Sequence, residues 1–185
     1  MKISVGCDHG ALALKNKVVA HLEKQGHEVK DFGTHTLDSC DYPEFAAAAA
    51  RAVASGECDK GIVLCTTGIG VSISANKIDG VRCALLSDPW SAKMTRLHND
   101  TNMMALGAGV VGENLALEIV DIWVGTEFSG EERHQRRIDK LMALGAGIVG
   151  ENLALEIVDT WIGTEFSGDE RHQRRIDKLM ALENQ

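Results

Sequence analysis

The sequence predicts an α/β fold in which a five-stranded parallel sheet is covered by helices on both faces. Two observations carry this. Short apolar runs of strand length alternate with longer amphipathic runs of helix length along the first 106 residues, and strands separated by helices in this way pair in parallel. The chain of 185 residues is also long enough for one core of ordinary size.

The elements follow in order. Residues 3–7 (ISVGC) form a first strand and 11–25 a helix that Gly26 ends. Residues 27–32 suit a second strand and 42–55 a second helix. Residues 61–65 (GIVLC) read as a buried third strand, followed by a glycine-containing turn and a helix over about 70–78. Residues 81–86 and 102–106 complete the strands, with a helix over 89–97 between them. In such sheets ligands sit beyond the carboxyl ends of the strands.

A tandem repeat follows. Residues 106–143 and 144–181 are the same 38-residue segment apart from four positions: Val110/Ile148, Ile122/Thr160, Val124/Ile162 and Glu131/Asp169. Two copies do not make a solenoid, and 38 residues hold little core of their own. A segmental duplication is the simpler reading, with residues 1–143 as the domain and 144–185 as a copied helical segment and tail. Each copy holds an apolar helix (113–124, with Leu117, Ile119, Val120 and Trp123 inward) and an arginine-rich one (131–141). The first copy is expected to dock natively, because the fifth strand feeds it directly. The second carries Leu155, Ile157, Val158 and Trp161, an apolar load that must also be buried.

Composition narrows the function. Hydrophobic residues make up 44% and charged residues 25%, and the formal charge is −8. That balance opposes a general binder of nucleic acid or anionic membranes, yet leaves room for a local basic pocket. No stretch approaches the roughly 20 apolar residues of a membrane span. Asp8 interrupts the apolar core that a signal peptide needs, which points to the cytoplasm. The five cysteines lack a C-x-x-C pair, as expected of reduced thiols rather than a disulfide framework or a zinc site.

Four constellations could carry chemistry. Residues 65–72 (CTTGIGVS) sit where a buried strand meets a helix, a place suited to a phosphate or a developing oxyanion. There is no third glycine of a dinucleotide fingerprint and no Walker lysine, so a flavodoxin-like nucleotide binder has the right sheet but no fingerprint. Cys65 reads either as an activated thiol near a helix start or as a small buried hydrophobe. Asp8 and His9 end the first strand, as catalytic groups on the same rim or as a solvated turn. The run His98-Asn99-Asp100-Thr101-Asn102 could grip sugar hydroxyls or cap a helix. Arg133-His134-Gln135-Arg136-Arg137, copied at residues 171–175, could clasp a phosphate or form a solvated face.

Taken together, GCDH (6–9), DYP (41–43), CTTGIGVSISANK (65–77), RLHNDTN (96–102) and RHQRR (133–137) resemble the ribose-5-phosphate isomerase B family, which includes allose-6-phosphate and galactose-6-phosphate isomerases. The resemblance covers residues 1–143 nearly end to end. It implies a Rossmann-like three-layer sandwich with strand order 2-1-3-4-5 and extra C-terminal helices. It also implies a homodimer, with a tetramer as the larger alternative, whose sites draw on both subunits. The implied reaction is aldose–ketose interconversion of a sugar phosphate through a cis-enediolate, with neither metal nor cofactor.

By position, Cys65 would be the base, and His98 would open the ring with Asp8 and Thr67 assisting. The amides of Thr66, Thr67, Gly68, Ile69 and Gly70 would stabilise the enediolate oxygen. Asn99 would hold a hydroxyl. His9, Arg133 and Arg137, or the copies Arg171 and Arg175, would bind phosphate, and Tyr42 completes the substrate-binding set. Gly109 stands where many members carry an arginine. Ribose 5-phosphate is the expected substrate. A six-carbon sugar phosphate is the alternative within the class, and a non-catalytic binding or assembly module the alternative outside it.

Overall fold

The protein is described here by a computed structural model that covers residues 1–144 and 167–182. β1 (Lys2–Cys7) passes through one 3-10 turn (His9–Ala11) into α1 (Leu12–Lys24), then β2 (Glu28–Asp31) and α2 (Tyr42–Ala54) follow. Next come β3 (Lys60–Cys65), α3 (Ile69–Asn76), β4 (Cys83–Leu85), α4 (Pro89–Asn99) and β5 (Met103–Gly107). The first repeat copy supplies α5 (Glu113–Gly125) and α6 (Glu132–Ala143), and the second supplies α7 (Glu170–Ala181). The apolar residues Leu155, Ile157, Val158 and Trp161 lie outside the described residues.

All strand pairs are parallel, in the order β2-β1-β3-β5-β4. The expected order 2-1-3-4-5 is therefore corrected at its end: β5 lies inside and β4 at the edge. Burial gives the physical reason. Every residue of β5 is buried and it pairs on both sides, with Met103 opposite Gly61 and also opposite Cys83. β4 has three residues, one of them partly exposed, which suits a short edge strand.

Side-chain alternation along the strands splits the core into two layers. Ile3, Val5, Ile62, Leu64, Met104 and Leu106 face α1 and α5, where Val18, Leu22, Ile119, Val120 and Trp123 meet them. Val63, Cys65, Met103 and Ala105 face α2 and α3. The alanines of α2 let it lie close on β1. A Cβ on Gly6 would stand 2.8 Å from the carbonyl oxygen of Phe45, so β1 needs a glycine there.

Trp123 is fully buried, as its place on the apolar stripe predicts, and its indole N–H donates to Thr101 Oγ1 at 3.0 Å. Thr101 lies two residues before β5, so this bond ties the first repeat copy to the sheet. Among the described residues no helix is long and apolar enough to cross a membrane.

Candidate active site

Cys65 is the last residue of β3, and Gly68 turns the chain into α3 with a positive φ of 78°. A Cβ at Gly68 would lie 2.5 Å from Leu85 Cδ1, so both conformation and space demand glycine. The result is a tight loop in which the Gly68 N–H donates to Cys65 Sγ at 3.1 Å. Ile69 N–H donates to Thr67 Oγ1 at 3.3 Å. Two of the five expected oxyanion amides thus have partners within the turn itself. Thr66 and Thr67 are exposed above it. The turn is braced from β5: Ala108 N–H donates to Cys65 O at 2.9 Å and Gly109 N–H to Thr66 O at 2.8 Å. A Cβ at Gly109 would stand 3.1 Å from Thr66 O, so an arginine there would press on the loop.

Burial pushes Cys7 up to about 12 and also raises Cys40, Cys58 and Cys83. Among the hydrogen bonds of the described residues, Cys65 alone offers its sulfur to a backbone N–H at the start of a helix.

Asp8 and His9 share this rim, because Asp8 N–H donates to Leu64 O at 3.2 Å. Asp8 Oδ1 accepts the Gly10 N–H at 3.0 Å. Burial raises its carboxyl above the ordinary range, opposed by His9, the Gly10 and Ala11 amides and Arg175. His9 Nδ1 accepts the Cys40 N–H at 3.3 Å, which leaves Nε2 to carry the proton of the neutral ring.

Tyr42, the first residue of α2, lies among these groups. Its ring covers Gly70, where a Cβ would come within 2.6 Å of Tyr42 Cζ. Burial raises the phenol above its usual range; Cys65, Asp8 and Asp41 push the same way and Arg175 opposes them. Cys65, Asp8, Tyr42, Asp41 and Arg175 therefore form one electrostatic neighbourhood.

His98 belongs to a second cluster. It is next to the last residue of α4, just before β5 begins, whereas Cys65 ends β3 in register with the end of β5. Within one chain the two lie at opposite rims of a sheet roughly 16 Å deep. The His98 ring meets the buried His134 of α6 with centroids 4.3 Å apart and the rings tilted by 50°. Partial burial lowers its pKa, and His134, Arg133 and Arg137 add to the effect.

Much of the polar run beside it is structural. Asp100 takes a left-handed conformation and its carboxylate bridges Arg82 and Arg96 at 3.1 and 2.8 Å. Asn102 pairs with the Arg82 N–H and the Gly80 carbonyl. Asn99 accepts from Arg82 Nε through its backbone carbonyl at 3.1 Å.

The repeated arginines divide in the same way. Arg133 pairs with Glu131 at 2.6 Å, and Arg137 is exposed on α6. On α7, Arg171 is exposed and pairs with Asp169 at 3.4 Å, whereas Arg174 and Arg175 reach Asp41 at 3.0 and 3.2 Å. Lys178 reaches Asp41 at 2.9 Å and also pairs with Glu44. Arg174 foremost holds the Asp41 carboxyl far below the usual range. This clasp of Asp41 with Arg174 and Lys178 escaped sequence reasoning; its only signal was an acid before a Tyr-Pro helix start and a cationic copy more than 130 residues away. Among the described residues no group of three or more His, Cys, Asp or Glu side chains could hold a metal.

A thiol held by a turn of amides, with a carboxyl and an imidazole beside it on the carboxyl rim, marks an α/β enzyme for a small anionic substrate. The chain belongs to the Ribose/Galactose Isomerase family, which it matches over residues 3–141 and again over 140–179. It is 49% identical over 140 residues to ribose-5-phosphate isomerase B of Escherichia coli, covering 76% of this chain and 93% of that one. The structure of Clostridium thermocellum ribose-5-phosphate isomerase B is similar with a TM-score of 0.76 and 51% identity, over 78% of this chain and 97% of that one. The Mycoplasma genitalium enzyme with bound ribulose-5-phosphate is similar at 0.74 and 36%, over 77% and 95%.

Proposed function

We propose that this protein interconverts ribose 5-phosphate and ribulose 5-phosphate. One observation carries the reading: the Cys65 sulfur, at the tip of β3, accepts the amide of the turn that opens α3, with Asp8 and Tyr42 alongside. The curated and structural relatives named for ribose-5-phosphate isomerase B support it.

In the proposed reaction Cys65, as thiolate, removes the C2 proton of the open-chain aldose. The C1 carbonyl becomes an enediolate oxygen, and amides of the 66–70 turn receive its charge. The same sulfur returns the proton to C1 while the O2 hydroxyl proton passes to O1 and C2 becomes the carbonyl, so no atom or electron is gained or lost. Asp8 and Thr67 serve the sugar hydroxyls and ring oxygen, and the Nε2 proton of His9 points to an acceptor such as phosphate oxygen. His98 opens the ring from a second copy of the chain, since its own copy holds it at the far rim. Asn99 acts beside it. The protein works as a cytoplasmic homodimer.

The test is a panel of ribose 5-phosphate, allose 6-phosphate and galactose 6-phosphate, assayed with the purified chain. The highest kcat/KM is expected for ribose 5-phosphate. A hexose phosphate turned over faster would reassign the substrate, and no turnover of any would end the isomerase reading.

A further inference from the structure

Residues 132–143 and 170–181 are the same twelve amino acids, ERHQRRIDKLMA, yet they rest on different surfaces through different faces. α6 turns His134 and Ile138 inward against the core beside α4 and leaves Arg136, Arg137 and Lys140 exposed. α7 does the reverse. Arg174, Arg175 and Lys178 grip Asp41 beside α2, and Leu179 is buried. Its Ile176 and Met180, counterparts of Ile138 and Met142, are 37% and 51% exposed. One helix sequence thus has two docking faces, and the domain holds a receptor for each.

The Asp41 receptor demands a cationic occupant. With α7 seated on it the Asp41 side chain is only 9% exposed and meets three cations, and a carboxylate so enclosed is costly when unpaired. α6 cannot supply the cations within its own chain, because it is fixed beside His98 at the opposite rim. Three occupants remain: α7 of the same chain, α7 of a second copy, or α6 of a second copy, whose exposed Arg136, Arg137 and Lys140 repeat the gripping residues. Their sequences are identical, so the contacts available are identical. What separates them is tethering, since a covalently attached helix acts at high effective concentration.

We propose that α7 is a built-in occupant of a dock made for this helix, and that it, rather than α6 of a second copy, grips Asp41 and delivers Arg175 to the Asp8–Tyr42 site in cis. The second repeat copy is thereby a functional part that makes the cationic side of the site independent of a partner. Arg175 is suited to the task. It is mostly buried, donates to the carbonyl of Cys40, the residue that positions His9, and opposes the burial-driven shifts of both Asp8 and Tyr42. The role of Arg175 toward substrate rests on the proposed isomerase function; the dock itself does not.

The same charge reversal placed in each helix of the full chain tests this. Lys178→Glu and Lys140→Glu are followed by amide exchange in the peptides 169–181 and 131–143, which differ in mass through Asp169 and Glu131, and by KM for ribose 5-phosphate. Both lysines lie outside the core, so the domain still folds. Lys178→Glu is expected to speed exchange across 169–181 roughly tenfold and to raise KM several-fold at similar kcat, while Lys140→Glu changes neither. An effect of Lys140→Glu instead would place α6 of a second copy in the dock and overturn the proposal, as would silence of Lys178→Glu in the exchange measurement, or protection of 169–181 that falls on dilution and so places α7 of a second copy there. An unmutated chain without isomerase activity would count against the function alone, because exchange reads the dock directly.

Discussion

The ring of Tyr42 lies against Gly70, so closely that any side chain on that residue would have to displace it. This contact joins the start of α2 to the start of α3 and brings the Asp8 and Cys65 sides of the rim together. Gly70→Ala puts a methyl group 2.6 Å from Tyr42 Cζ. Alanine favours the helix itself by up to about 1 kcal/mol, but overpacking of this kind costs about 1–3 kcal/mol. A lower Tm and a higher KM are expected. Unchanged values for both would show that the ring is free to move aside.

Asp8 carries a pH signature. Burial raises its carboxyl in the folded protein, so the unfolded chain releases that proton at lower pH than the folded one does. Ionised Asp8 therefore lowers stability as pH rises from the unfolded carboxylate value of about 3.9 through the raised folded value. Asp8→Asn keeps an acceptor for the Gly10 N–H and removes the ionisation. Its Tm should exceed that of the parent at pH 7, with the difference shrinking as the pH falls through the raised folded value and gone below about 4, while turnover drops. A Tm gain that persists in acid would mean that ionisation of Asp8 is not its source.

Trp123 separates stability from chemistry. Trp123→Phe removes the indole donor, leaves the buried Thr101 hydroxyl without it and opens a space under α5. A loss of about 2–4 kcal/mol is expected in denaturant unfolding, with kcat per folded molecule retained. A loss below about 0.5 kcal/mol would show that α5 is not anchored through this residue.

The clasp at Asp41 has its own pH dependence. Its carboxyl is held far below the usual range, so its contribution is fully present above the unfolded value of about 3.9 and is lost only as pH falls toward the lowered folded value. Exchange protection of the 169–181 peptide should hold from pH 8 to pH 5. Release of that segment within this range would exclude Asp41 as its anchor.

Most elements were legible because each run carries its own signal. GIVLC and MMALG are continuous apolar stretches that fit only buried strands, and Gly26 and Pro89 mark helix limits. Strand order was less legible, since periodicity records which residues are buried and not which strand lies alongside. Run length held no clue, for the apolar run over 81–86 is longer than that over 102–106, and only the structure shows that the strand is confined to Cys83–Leu85. The Cys65 turn could be read from its local pattern of strand, glycine and helix. The separation of His98 from Cys65 follows from topology, because a residue just before a parallel strand sits at the opposite rim from one that ends its neighbour. The Asp41 clasp depends on packing between segments more than 130 residues apart, and no local pattern encodes it.

The central claim is that the Cys65 sulfur moves the proton between C1 and C2. The most direct measurement is turnover of ribose 5-phosphate by Cys65→Ala, with folding checked by Tm and ligand binding by calorimetry. The proposed mechanism requires kcat to fall by about three orders of magnitude or more while the sugar phosphate still binds. A folded Cys65→Ala protein that keeps a tenth or so of the parent kcat, a loss of only about 1.4 kcal/mol in barrier terms, would contradict it.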